Sequence, residues 1–142
     1  MNDPTYALQV AVAAVLLADA TVSGLVGAAV YDEASAPDAA YPRIEIGDDQ
    51  RIGDADTASN KSKVFSTVTV YAAGPGGRLA AKQIAAAVEM VLLQPLALTG
   101  HNLVSAVLHE AGYHIIDEPT DPSGVAAKGI LLFQFRTFPN PA

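Results

Sequence analysis

The chain has 142 residues, 51% of them apolar, and a formal net charge of −7, a length that suits one domain spanning residues 1–142 and burying roughly 68% of the surface its unfolded chain exposes. It has no cysteine, which excludes a disulfide framework, a thiolate metal site and a cysteine nucleophile. Acids crowd between Asp32 and Asp56, where Arg43 and Arg51 are the only bases, and such a surface opposes tight binding to a phosphate backbone.

Met1-Asn2-Asp3-Pro4 places no Lys or Arg ahead of the first apolar stretch, so no secretory signal is expected. The longest apolar stretch, Ala11 to Ala18, falls short of the roughly 20 residues that span a bilayer, and no membrane association is expected. Asp3-Pro4 reads as an N-cap acid before a proline at the first helical position. Leu8, Val12, Val15 and Leu16 then recur at helical spacing, predicting an amphipathic helix that ends near Asp19. Thr21 to Gly27 reads as a short second turn, capped by Thr21 and stopped by Gly27.

A Ser-, Pro- and Ala-rich stretch from Ala34 leads to Tyr41-Pro42, a dipeptide that favours extended geometry. Arg43 to Gly47 alternates as a short strand with Ile44 and Ile46 on one face. Asp48 to Ser62 holds one large apolar residue, Ile52, and is expected to be an exposed polar loop or an extended arm.

Lys63 to Ala72 is the clearest strand, with Val64, Val68 and Val70 on one face and Phe65, Thr67, Thr69 and Tyr71 on the other. Gly74-Pro75-Gly76-Gly77 ends it. Arg78 to Leu93 follows as a helix striped by Ile84, Val88 and Val91, with Pro95 just beyond. Leu96–Leu98, Asn102–Glu110 and Tyr113–Asp117 read as strand segments around the Thr99-Gly100 turn. After a loop at Pro119–Gly124, Ala126 to Phe138 reads as a last strand, with Leu131, Phe133 and Phe135 facing one way and Ile130, Leu132, Gln134 and Arg136 the other. The order predicts an α+β fold: a mainly antiparallel sheet, two main helices packed on one face, and an extended polar arm. Phe65, Tyr71, Ile130 and Leu132 on the second face call for a cover, for which a partner subunit is the natural candidate.

No chemical motif assembles. His101, His109 and His114 lack the i, i+4 pairing of a zinc-binding helix and read as edge or loop residues. Gly77-Arg78-Leu79 stands where a phosphate-binding loop needs Gly-Lys-Ser/Thr, so the glycines read as a strand-to-helix turn. Asp48, Asp49, Asp54 and Asp56 do not follow calcium-loop spacing, and no serine occupies a Gly-x-Ser-x-Gly elbow. Neither metal, cofactor nor catalytic residue is expected.

Four stretches together resemble the tail-terminator, or tail-completion, proteins of long-tailed phages and gene transfer agents. The first is the N-terminal helix with Asp19-Ala20 and Leu25-Val26-Gly27 leading to Val30-Tyr31. The second is Tyr41-Pro42-Arg43-Ile44 running to Gly47. The third is the Gly77-Arg78 helix start with Ala81-Lys82, Ile84 and Val88, and the fourth is Asp121-Pro122-Ser123-Gly124 before Gly129-Ile130-Leu131-Leu132-Phe133. They cover nearly the whole chain. It departs from the family's pattern at Tyr71-Ala72, where a tryptophan is common, and at Val125-Ala126-Ala127-Lys128, where the loop is usually more basic.

The resemblance implies a structural protein, not an enzyme. It is made in the bacterial cytoplasm and incorporated at the head-proximal end of a virion or phage-like tail. There a homo-oligomeric ring, commonly a hexamer, ends polymerisation of the major tail tube protein, meets a head-completion or stopper protein, and lets DNA pass without binding it specifically. The expected subunit interface is the polar arm, with Asp48, Asp49, Arg51, Asp54, Asp56, Lys61 and Lys63 as its charged residues; Arg51, Lys61 and Lys63 are expected to pair with acids of the neighbour. Two other readings are a different head-tail connector or minor tail adaptor, told apart by the neighbour it binds, and a small-molecule-binding α+β domain, which requires a pocket of convergent polar groups.

Overall fold

A computed structural model describes residues 3–32, 41–53, 61–74, 76–116 and 126–140. Helix α1 runs Thr5–Ala18 and α2 Ala20–Val26, their axes turning by 80° at Asp19. At the chain start the Asp3 carboxylate accepts from the Thr5 backbone N–H at 3.0 Å and from its hydroxyl at 2.8 Å. Leu8, Val12 and Leu16 are buried as their spacing predicts, with Ala11 beside them, whereas Val15 is only partly covered. The helix is less amphipathic than expected, because Tyr6, Val10 and Leu17 stand exposed on its outer side.

The cap of α2 is Asp19, not Thr21: the Asp19 carboxylate accepts from the Val22 backbone N–H at 3.0 Å, while Thr21 lies exposed inside the first turn. Asp19 prevails because the chain is still extended there (φ −77°, ψ 128°), the conformation a capping side chain needs. Gly27, at φ 63°, ends the helix as expected.

The sheet comprises β1 (Val30–Asp32), β2 (Arg43–Gly53), β3 (Ser62–Ala73), β4 (His101–Ile116) and β5 (Ala126–Pro139), in the order β1-β2-β3-β5-β4. All neighbours are antiparallel except β1, which runs parallel to β2 through Ile44–Ile46. Three boundaries differ from expectation. β2 continues six residues beyond Gly47, so the arm's base is paired strand. The two segments predicted within 102–117 are one strand as far as Ile116, while Asp117 and the Pro119–Gly124 loop lie outside the described residues. Leu96–Leu98 is not strand at all: Leu96 is buried in an irregular segment, so its apolar side chains serve the core without pairing.

Helix α3 (Gly77–Leu92) packs against β3, β4 and β5, and α1 and α2 pack beside it. Below it β3 and β5 alternate strictly: Val64, Val68 and Val70, with Leu131, Phe133 and Phe135, point to the helices and are all but fully buried. The Phe133 and Phe135 rings lie 6.1 Å apart and nearly parallel. At the far end of the same face the Tyr113 ring lies on Gly129, where an added Cβ would sit 2.8 Å from the ring and 3.0 Å from Val70; only glycine admits that approach. All three helices cover this one face, as the α+β expectation requires.

The cap assignment is testable by chemical denaturation. Asp19→Ala is expected to cost about 1 kcal/mol, the usual value of a lost N-cap, and Thr21→Ala to stay within about 0.5 kcal/mol of the parent, as exposed substitutions do.

Candidate functional site

Two regions lie outside the core that the helices seal: the base of the arm and the second face of the sheet. The arm's geometry is set at Asp48. It takes φ 47°, a left-handed conformation that aspartate tolerates better than most residues, and the β2–β3 register shifts between Gly47 and Asp49. One extra residue inverts the faces beyond it. Asp49 and Arg51 therefore stand opposite buried Ser66 and Val64 on the helix side, while Gln50 and Ile52 stand opposite Phe65 and Lys63 on the second face.

The structure thus gathers Asp48, Asp49, Arg51 and Lys63 at the arm base, with Lys61 exposed just ahead of β3. Asp54 and Asp56 lie outside the described residues. Arg51 already has a partner within the chain, its Nε donating to the Ser62 hydroxyl at 3.0 Å. Although Asp49 is exposed at the surface, the atoms packed around it desolvate its carboxyl and push it above the usual carboxylate range; a hydrogen bond from Ser66 opposes the shift, and the charges of Asp48, Asp32 and Asp3 add to it. Asp3 moves the other way, held low by the Thr5 backbone and side-chain hydrogen bonds. Gln9 ties α1 to β1 by donating to Asp32 at 3.1 Å.

On the second face Phe65, Tyr71, Ile130 and Leu132 are half-buried, so the apolar surface there is smaller than the sequence implies. Part of it is taken up by a contact that sequence reasoning missed. The Arg43 guanidinium lies 3.9 Å from the centre of the Tyr71 ring and 5.2 Å from that of Tyr41, and its Nε donates to Glu45 at 2.6 Å with both side chains about nine-tenths buried. Burial alone would make Arg43 easier to deprotonate; the hydrogen bond and charge of Glu45 outweigh it and hold the pKa above its ordinary value. The available signal was Arg and Glu two apart on a strand, hence on one face.

The three histidines are spread along β4. His101 is buried at its start, with Nδ1 3.3 Å from the Thr99 carbonyl oxygen. His109 meets the Phe65 ring edge-on at 5.6 Å, and His114 is exposed near the far end. Among the described residues no group of three or more His, Cys, Asp or Glu could hold a metal ion.

Residues 10–121 match the model of the family described as Tail completion protein gp17. The chain belongs to that family. It is accordingly a structural tail-completion protein of a phage-like particle. A chain in the virion of a native gene transfer agent particle is 28% identical to it, with a TM-score of 0.80 over 95% of this chain and 97% of that one. The gp17 protein of bacteriophage SPP1 shares the fold at 22% identity, with a TM-score of 0.52 over 96% of this chain and 91% of its own. No curated protein matches in sequence.

Two outcomes test the electrostatics of this tail-completion protein. Glu45→Ala removes the carboxylate from a buried guanidinium and is expected to cost roughly 3 kcal/mol, as breaking a buried pair does; urea titration would read it. For Asp49 the folded protein holds its proton more tightly than the unfolded chain. Its stabilising contribution is therefore complete below the ordinary carboxylate pKa and is lost as pH rises through the raised folded value. Asp49→Asn should match the parent at about pH 3 and exceed it in urea midpoint at about pH 7, where an ordinary carboxylate is ionised.

Proposed function

We propose that copies of this chain form a closed ring, a hexamer on the family resemblance, at the head-proximal end of a phage-like tail. The ring ends polymerisation of the tail tube and joins tail to head. The observation that carries the reading is the near full-length match to a chain of a native gene transfer agent virion, in a protein whose family completes tails. The work is geometric and makes or breaks no covalent bond.

A ring of identical subunits needs a head-to-tail interface, two different and complementary patches per copy, and a rotation that closes. The arm base and the second sheet face are two such patches. The arm carries Asp48, Asp49, Arg51 and Lys63 together with Asp54, Asp56 and Lys61, and mixed charge of that kind selects register more than it adds affinity. Lys61 and Lys63 pair with acids of the neighbour in this reading, and Arg51 does so alongside its bond to Ser62. The partners above and below the ring are the tube protein and a head-completion or stopper protein. DNA slides through without being held, which suits a chain of net charge −7.

Two measurements decide it. Gold-labelled protein in intact particles should appear at the junction of tail and head in electron micrographs, and label elsewhere along the tail, or none, would refute the placement. Deleting residues 53–60 should leave a folded monomer by circular dichroism but reduce the oligomer seen by light scattering; an unchanged oligomer would exclude the arm from the interface.

A further inference from the structure

β4 forms one edge of the sheet over all of its 16 residues. Natural edge strands are blunted by Lys, Pro, shortness or bulges, because their outward N–H and C=O groups invite another strand. β4 contains no Lys, Arg or Pro and a single carboxylate, Glu110. Its register against β5 shifts twice, at Leu103/Ser105 and at Leu108/Glu110. Between the shifts lies one regular uncharged run, Ser105-Ala106-Val107-Leu108, flanked by Val104 at 53% exposure and containing Val107 at 47%. The edge is guarded at both ends of this run and open within it.

Among the described residues the opposite edge is open at the same height. Among the described residues β1 covers β2 only at Ile44–Ile46, leaving Asp49–Ile52, all exposed, paired on one side alone. Following the pairings across the sheet places these residues in the rows of the β4 run: Ile52–Lys63–Arg136–Ser105, Arg51–Val64–Phe135–Ala106, Gln50–Phe65–Gln134–Val107 and Asp49–Ser66–Phe133–Leu108. Strand directions alternate from β2 to β4, so a second copy placed beside β4 with its β2 outward continues the antiparallel pattern unbroken. The run offers no charge against which Asp49 or Arg51 would be mismatched, and like charges facing each other across strands destabilise a pair.

We propose that the head-to-tail contact between copies is made by this edge pairing: Ser105–Leu108 of one subunit takes Asp49–Ile52 of the next as an antiparallel sixth strand, making one sheet continuous around the ring. This deepens the ring reading and rests on it, and it makes the β4 edge, in place of the second sheet face, the patch that meets the arm base. The partner is a second copy of this chain, because its own free edge matches in length, height and direction.

The chain's lack of cysteine makes the test clean. Within one copy β2 and β4 are three strand spacings apart, about 14 Å, beyond the roughly 7 Å that a disulfide bridges. In Gln50→Cys/Val107→Cys any disulfide joining the two positions must therefore link two copies. Particles assembled with this double variant, oxidised and run on a denaturing non-reducing gel, should give a ladder of covalent oligomers, where each single variant gives no species above a dimer. Val107→Lys, at a site already half exposed, should leave the monomer's thermal transition unchanged and abolish the oligomer. Rings visible at the tail end without a ladder would overturn the edge pairing and leave the ring reading intact. Absence of any ring would overturn both.

Discussion

The molecule is organised by the strict alternation of β3 and β5 beneath α3. Val64, Val68 and Val70 on one strand and Leu131, Phe133 and Phe135 on the next are sealed by the helices, and each large apolar side chain buried there is worth roughly 1.5–3 kcal/mol. A sheet has two faces and two edges, and this interaction uses one face. Among the described residues every helix lies on that side, leaving the second face, the β4 edge and the outer half of β2 without helical cover. Stability is thus concentrated in one layer of the sheet.

The extra residue at Asp48 is the feature that fits β2 to both tasks. Before it Ile44 and Ile46 feed the core; beyond it the strand turns Asp49 and Arg51 to the helix side and Gln50 and Ile52 to the second face. Had the register continued unshifted, Ile52 would have pointed toward the helix side, at the end of the sheet where α1 begins. The shift turns Ile52 to the second face and brings Asp49 toward Ser66, at the cost of the raised carboxyl pKa. The left-handed Asp48 and the partly desolvated Asp49 carboxyl therefore sit side by side where the core strand passes into the arm.

How much was legible from sequence followed from how local the determining forces are. β3 and β5 were readable because the period of two is imposed residue by residue, and α3 because Ile84 and Val88 repeat at helical spacing. β1 was missed as a strand: three residues held by parallel pairing with Ile44–Ile46 leave no periodic trace. β4 looked like two pieces because Ala111-Gly112 interrupts its run of larger side chains although both residues pair with β5, and Leu96–Leu98 looked like a strand because burial without pairing leaves the same composition. The arm base read as a polar stretch because its strand form comes from β3, not from its own side chains. The charged arm residues were placed together by that pairing, whereas Arg43 and Glu45, two apart on one strand face, went unnoticed because the Tyr71 ring over the guanidinium comes from the next strand.

The energetics of the proposed edge pairing bear on when the ring forms. A backbone hydrogen bond contributes about 1 kcal/mol net, so a four-residue edge supplies at most about 4 kcal/mol, equivalent to a dissociation constant of about 1 mM, before the entropy of association is subtracted. Two free copies carrying a charge of −7 each would not stay together on that interaction alone. Closure changes the arithmetic. The last subunit of a ring makes two contacts at once, the second as an intramolecular step at high effective concentration, and a preformed tube end that holds several copies in register supplies the same advantage from the start. A weak, regular, register-limited edge therefore favours assembly at a tail end over assembly in solution. A stronger one would polymerise wherever the chain is made, which is the hazard of any heterologous contact that fails to close.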